Sequence, residues 1–167
     1  MSMGERLREA RNKIGYSQEE VARRIDLDRT TIGKYENDAC VPSSTTLARL
    51  VEIYCYYVEK TAITFEYEVP AVEEFQQRMV HVMEKYPYLV AKVDNQIVGY
   101  AYAGTFNVRA AYDWCVETSI YVDHTLRKCG VGKRLYQALE KALKAQNITN
   151  LNACISSPIQ NDEYLDT

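Results

Sequence analysis

Residues 117–155, ETSIYVDHTLRKCGVGKRLYQALEKALKAQNITNLNACI, decide the fold. Thr118–Val122 is a short apolar strand. Gly130–Asn147 then carries Val131, Leu135, Leu139 and Leu143 on one helical stripe, and Leu151–Ile155 reads as strand again. Strand, glycine loop, helix and strand form a βαβ unit, whose strands run parallel and whose crossover is right-handed. Between the first strand and the helix, Arg127-Lys128-Cys129-Gly130-Val131-Gly132-Lys133 lets backbone N–H groups converge. The helix N-terminus adds partial positive charge, so a diphosphate fits there. The spacing is neither the GxGxxG of dinucleotide folds nor a P-loop ending in GK[ST].

Upstream, Tyr88–Val93 and Ile97–Ala103 read as two strands joined at Asp94-Asn95-Gln96, a hairpin. Pro70 opens a helix through Phe75, Met79, Val82 and Met83, and Thr64 to Glu68 alternates as a strand does. The first 50 residues instead read as short helices. Leu7, Ala10 and Ile14 recur at helical spacing before Gly15, and Ser17-Gln18-Glu19-Glu20 is a capping box. Val21, Ala22 and Ile25 face inward, a turn follows at Asp26-Leu27, and Asp28 caps a helix over Arg29–Tyr35 with Ile32 and Tyr35 inward. A fourth helix runs through Leu47, Leu50, Val51 and Tyr54. The reading is α+β: an all-α unit over 1–48 and a mixed α/β sheet unit over 49–167, meeting inside one helix around residues 47–60.

Composition supports a folded chain. Its 167 residues are 47% hydrophobic and 26% charged, which excludes disordered, collagen-like and coiled-coil classes. No apolar run approaches the ~18 residues of a membrane span, and the charged N-terminus is no secretory signal. Five cysteines, odd in number and without a CxxC pair, argue against a disulfide framework or a metal site and for a reduced, cytoplasmic protein. Residues 1–50 carry nine Lys/Arg against eight Asp/Glu and the remainder eleven against fifteen, so only a local basic face could meet nucleic acid.

The run LREARNKIGYSQEEVARRIDLDRTTIGKYEN, residues 7 onward to 37, resembles the phage-repressor (XRE, Cro-like) helix-turn-helix family. The resemblance implies binding to double-stranded DNA. Gln18 would hold a phosphate, Arg29, Thr30 and Lys34 would face base edges, and Arg11 and Glu36 would form a partly buried ion pair. Arginine suits guanine because it binds two acceptors at once.

From about residue 49, the chain resembles the GNAT acetyltransferases, whose loop [Q/R]-x-x-G-x-[G/A] is met by Arg127, Gly130 and Gly132. EIYCYYVEKTAITFEYEVP, YPYLVAKVDNQIVGYAYAG, the run Phe106, Arg109, Ala111, Tyr112, Trp114, and VETSIYVD narrow this to a likeness with phosphinothricin N-acetyltransferases. The likeness implies acetyl-CoA as donor, a small amino compound of the glutamine-analogue type as acceptor, and no metal. Backbone around Arg127, Lys128, Cys129, Gly130, Val131, Gly132 and Lys133 would hold the diphosphate. Ser119, Ile120, Tyr121 and Val122 would pair with the pantetheine arm. Glu117 would be the general base, since an ammonium has no lone pair with which to attack a thioester. Arg109, Tyr112 and Trp114 would line the acceptor side, with Arg109 clamping a carboxylate.

Against that family pattern, no strand precedes Leu47. The helix that normally brings an Asn and a His to the site, and two strands beyond it, do not follow Ile155 before Thr167. An incomplete sheet leaves an open edge at Leu151–Ile155, and a homodimer is the expected consequence. Three readings stay open: an N-acetyltransferase with a DNA-binding appendage, a DNA-binding regulator whose acetyltransferase part is inactive or only binds acetyl-CoA or mediates dimerisation, and a remnant with neither function. Of the remaining residues, His81 reads as structural, His124 has no assigned role, and Cys129 has no partner marking it as a nucleophile. Tyr54, Tyr56 and Tyr57 read as packing between the two units.

Overall fold

The computed structural model describes residues 3–24, 28–37 and 42–156. The elements are α1 (Met3–Lys13), α2 (Gln18–Arg24), α3 (Arg29–Glu36), α4 (Ser44–Lys60), α5 (Val72–Met83), β1 (Tyr88–Val93), β2 (Gln96–Thr105), β3 (Cys115–Val122), α6 (Val131–Ala145) and β4 (Asn150–Asn152). Strands lie in the order β1-β2-β3-β4. The first three are antiparallel and β4 runs parallel to β3, so β3-α6-β4 is the expected βαβ unit.

Period-two alternation builds two cores, one on each face of the sheet. Ala101, Ala103 and Val116 face α6, which buries Leu135, Leu139 and Leu143. Each of those leucines contributes about 1.5–3 kcal/mol by leaving water. Tyr100 and Tyr121 face the other way, against Leu47, Leu50, Ile53, Tyr54 and Val58 of α4 and Phe75 and Met79 of α5. Helix α4 begins where Thr46 N–H donates to the Ser43 hydroxyl at 3.2 Å. The β1–β2 hairpin turns at Asp94 and Asn95, both with positive φ (49° and 65°), a geometry these residue types tolerate.

Polar contacts tie the N-terminal helices together. Glu36 is 3% exposed. Its carboxylate accepts from Arg11 Nε at 2.5 Å and Nη2 at 2.9 Å, and from Gln18 Nε2 at 2.9 Å. The Arg11 bonds outweigh burial and, with Gln18, hold the Glu36 carboxyl below the ordinary glutamate value. The capping box forms as read: Glu20 N–H donates to Ser17 Oγ at 3.1 Å, and Ser17 N–H to Glu20 Oε2 at 2.7 Å.

Several expectations are corrected. Tyr35 is 39% exposed, because Ile32 and Glu36, four residues apart, form the buried edge of α3. Leu7 and Ile14 are exposed, since α1 meets α3 through Gly4, Arg8 and Arg11 instead. The Asp28 side chain caps nothing; its carbonyl accepts from Thr31 and Ile32 N–H. Thr64–Glu68 is not a strand. The hydroxyls of Thr61 and Thr64 accept from Ile63 and Glu66 N–H, and Phe65 takes a φ of 55°, so the chain turns there. The last strand is Asn150–Asn152 rather than Leu151–Ile155. Thr118 Oγ1 donates to the Asn152 carbonyl and Asn152 Nδ2 to the Val116 carbonyl, which ends the ladder and leaves Ile155 exposed. Ile25 and the Asp26-Leu27 turn lie outside the described residues.

Two glycines of this unit differ in what a methyl group would meet. At Gly4 it would lie 2.7 Å from the carbonyl oxygens of both Tyr35 and Glu36. At Gly33 the nearest atom is Gln18 Oε1 at 3.8 Å, within ordinary contact. Gly4→Ala is expected to cost the helical unit about 1–3 kcal/mol by overpacking. Gly33→Ala should stabilise it by about 0.5–1 kcal/mol through helix propensity. Amide exchange rates within α1–α3 report both changes; equal rates in the two variants would contradict this packing.

Candidate functional site

The site begins where β3 outlasts its partner. The β3–β4 ladder runs only from Cys115↔Asn150 to Glu117↔Asn152. Asp123 N–H donates to the Val98 carbonyl at 2.8 Å, towards β2. Alternation then points the N–H and C=O groups of Ile120 and Val122 the opposite way, past the end of β4. One of these is occupied: Tyr57 Oη donates to the Val122 carbonyl at 2.5 Å.

Beyond Val122 the chain coils tightly. Thr125 donates through both N–H and hydroxyl to Asp123 Oδ1, and Leu126 N–H donates to the Asp123 carbonyl. Lys128 (φ 58°) and Gly130 (φ 78°) take left-handed conformations on either side of Cys129, whose thiol donates to the Leu126 carbonyl at 3.0 Å. Gly130 stands at the N-cap of α6 with no side chain to cover the helix end. The amides of Val131, Gly132 and Lys133 have no carbonyl four residues earlier in the helix to bond. A Cβ on Gly132 would make only ordinary 3.8 Å contacts with Ile120 and Val122, so packing does not demand its bareness. The outcome is a cleft of about 410 Å³ between α4 and this loop, bordered by the exposed Arg127, Lys128 and Lys133. An acceptor-rich anion fits that donor set.

Arg49 pins α4 to the cleft's base. It donates to the Ile97 carbonyl at 3.0 Å and pairs with Asp123 and Glu52. Burial alone would raise the Asp123 carboxyl, yet the Thr125 bonds and Arg49 hold it below its ordinary value.

Glu117 lies at the other end of β3, opposite Gly104 and Asn152 and exposed. Alternation puts it on the sheet face of Ser119 and Tyr121, the α4–α5 side. That face is tiled with phenols: Tyr88 stacks on Tyr102 at 5.0 Å, Tyr100 lies 5.3 Å from Tyr121, and Tyr54 meets Tyr121 edge-on at 5.0 Å. Burial, with the Glu66 carboxylate adding to it, pushes Tyr54 up to about 12. Burial also pushes Tyr88, Tyr100 and Tyr121 far above their ordinary value, so the cluster is neutral at physiological pH. Arg78 bridges Glu66 and Glu74 at 2.6 Å each along its rim.

Arg109, Tyr112 and Trp114 occupy the β2–β3 connection, around a single helical turn at Ala110–Tyr112. The Thr105↔Val116 pair brings this connection to the end of the sheet where Glu117 sits. All three side chains are exposed, and the Trp114 carbonyl is anchored by the N–H groups of Thr149 and Asn150. Tyr102, Glu66 and Arg78 belong to this region and escaped sequence reading. The alternation of Tyr100 and Tyr102 in β2 was the available signal for the first; Glu66 and Arg78, twelve residues apart, carried none.

On the N-terminal unit, Arg29, Thr30 and Lys34 are exposed on α3 while Ile32 and Glu36 point inward. Gln18 is different: its amide is committed to Glu36. Among the described residues no three His, Cys, Asp or Glu side chains converge as a metal site would need, and no helix is long and apolar enough to cross a membrane.

Comparison with known proteins agrees with both halves. Residues 43–163 match the acetyltransferase (GNAT) domain family, and residues 2–59 a helix-turn-helix domain family. The chain belongs to the GNAT acetyltransferases and carries a helix-turn-helix domain at its N-terminus. It is 34% identical over 116 residues to phosphinothricin N-acetyltransferase of Streptomyces viridochromogenes, across 70% of this chain and 63% of that enzyme. The chain thus spans about three fifths of that relative's length. Over 54 residues it is 41% identical to the HTH-type transcriptional regulator ImmR of Bacillus subtilis, covering 32% of this chain and 42% of ImmR. The crystal structure of a GNAT superfamily phosphinothricin acetyltransferase from Sinorhizobium meliloti in complex with acetyl-CoA superimposes with a TM-score of 0.64 at 32% identity, covering 67% of this chain and 62% of that one.

Proposed function

We propose that this chain transfers acetyl from acetyl-CoA to the amine of a small amino compound and binds duplex DNA through its N-terminal helices. The observation that carries the first part is the parting of β3 from β4 beside the left-handed turn at Lys128 and Gly130. The amides of residues 131–133, with Arg127, Lys128 and Lys133, hold the diphosphate. The outward backbone groups of Ile120 and Val122 serve as the edge along which the pantetheine arm lies, with Ser119 and Tyr121 keeping the strand bonded to β2. Acetyl-CoA supplies an activated thioester; the chain supplies position and proton removal. Glu117, beside the neutral phenol face, takes the proton from the acceptor ammonium directly or through water. Arg109 clamps an acceptor carboxylate, with Tyr112 and Trp114 against its apolar part. Such a protein works in the cytoplasm, where acetyl-CoA and DNA occur together, and as a homodimer.

Incubating the full chain with acetyl-CoA and phosphinothricin tests the catalytic part by release of free thiol. Glu117→Gln should lower turnover by about 10²–10⁴-fold while leaving coenzyme A affinity unchanged. Coenzyme binding without turnover in the unaltered chain would overturn catalysis and favour a DNA-binding regulator that senses acetyl-CoA.

For the DNA part, Arg29→Ala combined with Lys34→Ala should weaken duplex binding and lower the slope of log affinity against log salt by about two. An unchanged slope would remove α3 from the DNA interface.

A further inference from the structure

His124 follows directly on β3 and lies on the wall of the coenzyme cleft, together with Tyr56, Tyr57 and the 127–133 loop. Its imidazole stacks flat on the Tyr56 ring, with centroids 3.7 Å apart and planes within 2°. Tyr56 in turn meets Tyr57 edge-on at 5.6 Å, and Tyr57 is fixed by its bond to the Val122 carbonyl. The ring is therefore held in place by α4, although its side chain is 43% exposed. Nothing in the transfer chemistry described above uses it.

We infer that His124 is a positioning residue for the coenzyme diphosphate, an imidazolium held by Tyr56 that makes coenzyme binding pH-dependent. This inference rests on the acetyl-CoA reading. Its surroundings decide the sign. Asp123 Oδ1 stands 3.9 Å from His124 Nδ1, and the Tyr56 π-face attracts a cation; both favour the protonated ring. Asp123 also pairs with Arg49, which weakens its pull. Arg127, Lys128 and Lys133 border the same cleft and oppose protonation. Tyr57, a phenol raised above its ordinary value by burial, stays neutral, and Cys129 is tied to the Leu126 carbonyl. A diphosphate arriving among these groups brings negative charge to the ring and stabilises its protonated form. By linkage, the protonated protein then binds the diphosphate more tightly. Affinity is highest below the histidine range, near 6.5 for an unperturbed ring, and falls to a lower plateau as pH rises through it.

Calorimetric titration of the full chain with dephospho-coenzyme A between pH 5.5 and 8.5 tests this. That ligand keeps the diphosphate and lacks the 3′-phosphate, whose own ionisation would act in the opposite direction. The expected result is a dissociation constant that weakens about five- to tenfold across the range, a tenfold change matching one pKa unit of linkage. His124→Gln should bind at every pH as the unaltered chain binds at pH 8.5. Tyr56→Leu, which frees the ring from its stack, should lose most of the gain at low pH. An unaltered pH profile in His124→Gln would overturn the inference alone. No binding by the unaltered chain at any pH would overturn the acetyl-CoA reading with it.

Discussion

The coenzyme side of the molecule depends on where β3 stops pairing with β4. Had the ladder continued, the peptide groups of Ile120 and Val122 would be satisfied within the sheet and no edge would remain for a ligand amide. Two side chains stop it: the Thr118 hydroxyl and the Asn152 amide take the carbonyls that would carry the pairing forward. A parallel pair with its outer half unzipped is otherwise costly, since unpaired peptide groups away from water lose about the worth of a hydrogen bond each. The cleft resolves this by staying open to solvent, and Tyr57 already serves one of the carbonyls.

Helix α4 has a second duty. The matched ranges of the two families overlap over residues 43–59, which is nearly the whole of this helix. Its apolar stripe, Leu47, Leu50, Ile53, Tyr54 and Val58, is buried against the sheet. Its polar residues pin the end of β3 through Arg49 and wall the cleft through Tyr56 and Tyr57. Helices α1–α3 are held instead by the Glu36 cluster, and Leu7 and Ile14 of α1 remain exposed. A single 17-residue helix thus carries the acetyltransferase core at the place where a repressor-type domain would use its own fourth helix.

Long periodic segments were legible from residue types alone. The Leu135, Leu139, Leu143 stripe, the hairpin at Asp94-Asn95 and the Ser17–Glu20 box each follow from a local rule, and each is found. The Arg11–Glu36 pair and the glycine turn were legible through family resemblance. What failed depended on side-chain bonds that period alone does not encode. Thr61 and Thr64 bent a segment that alternates like a strand, Asn152 ended a strand that is apolar beyond it, and Arg8 and Arg11 turned a polar stripe of α1 inward. The acceptor region was half visible: Glu117 and Arg109 stood in recognisable runs, whereas Glu66 and Arg78 meet only because the 61–71 segment folds back on α5.

The account stands or falls on the open edge of β3 and the uncapped end of α6 acting together on one ligand. Titrating ¹⁵N-labelled full-length chain with coenzyme A and following amide resonances examines this directly. The largest shifts are expected at Ile120, Val122, Val131, Gly132 and Lys133, with the α1–α3 amides little changed. Saturable binding whose shifts fall elsewhere and leave those five amides in place would contradict it.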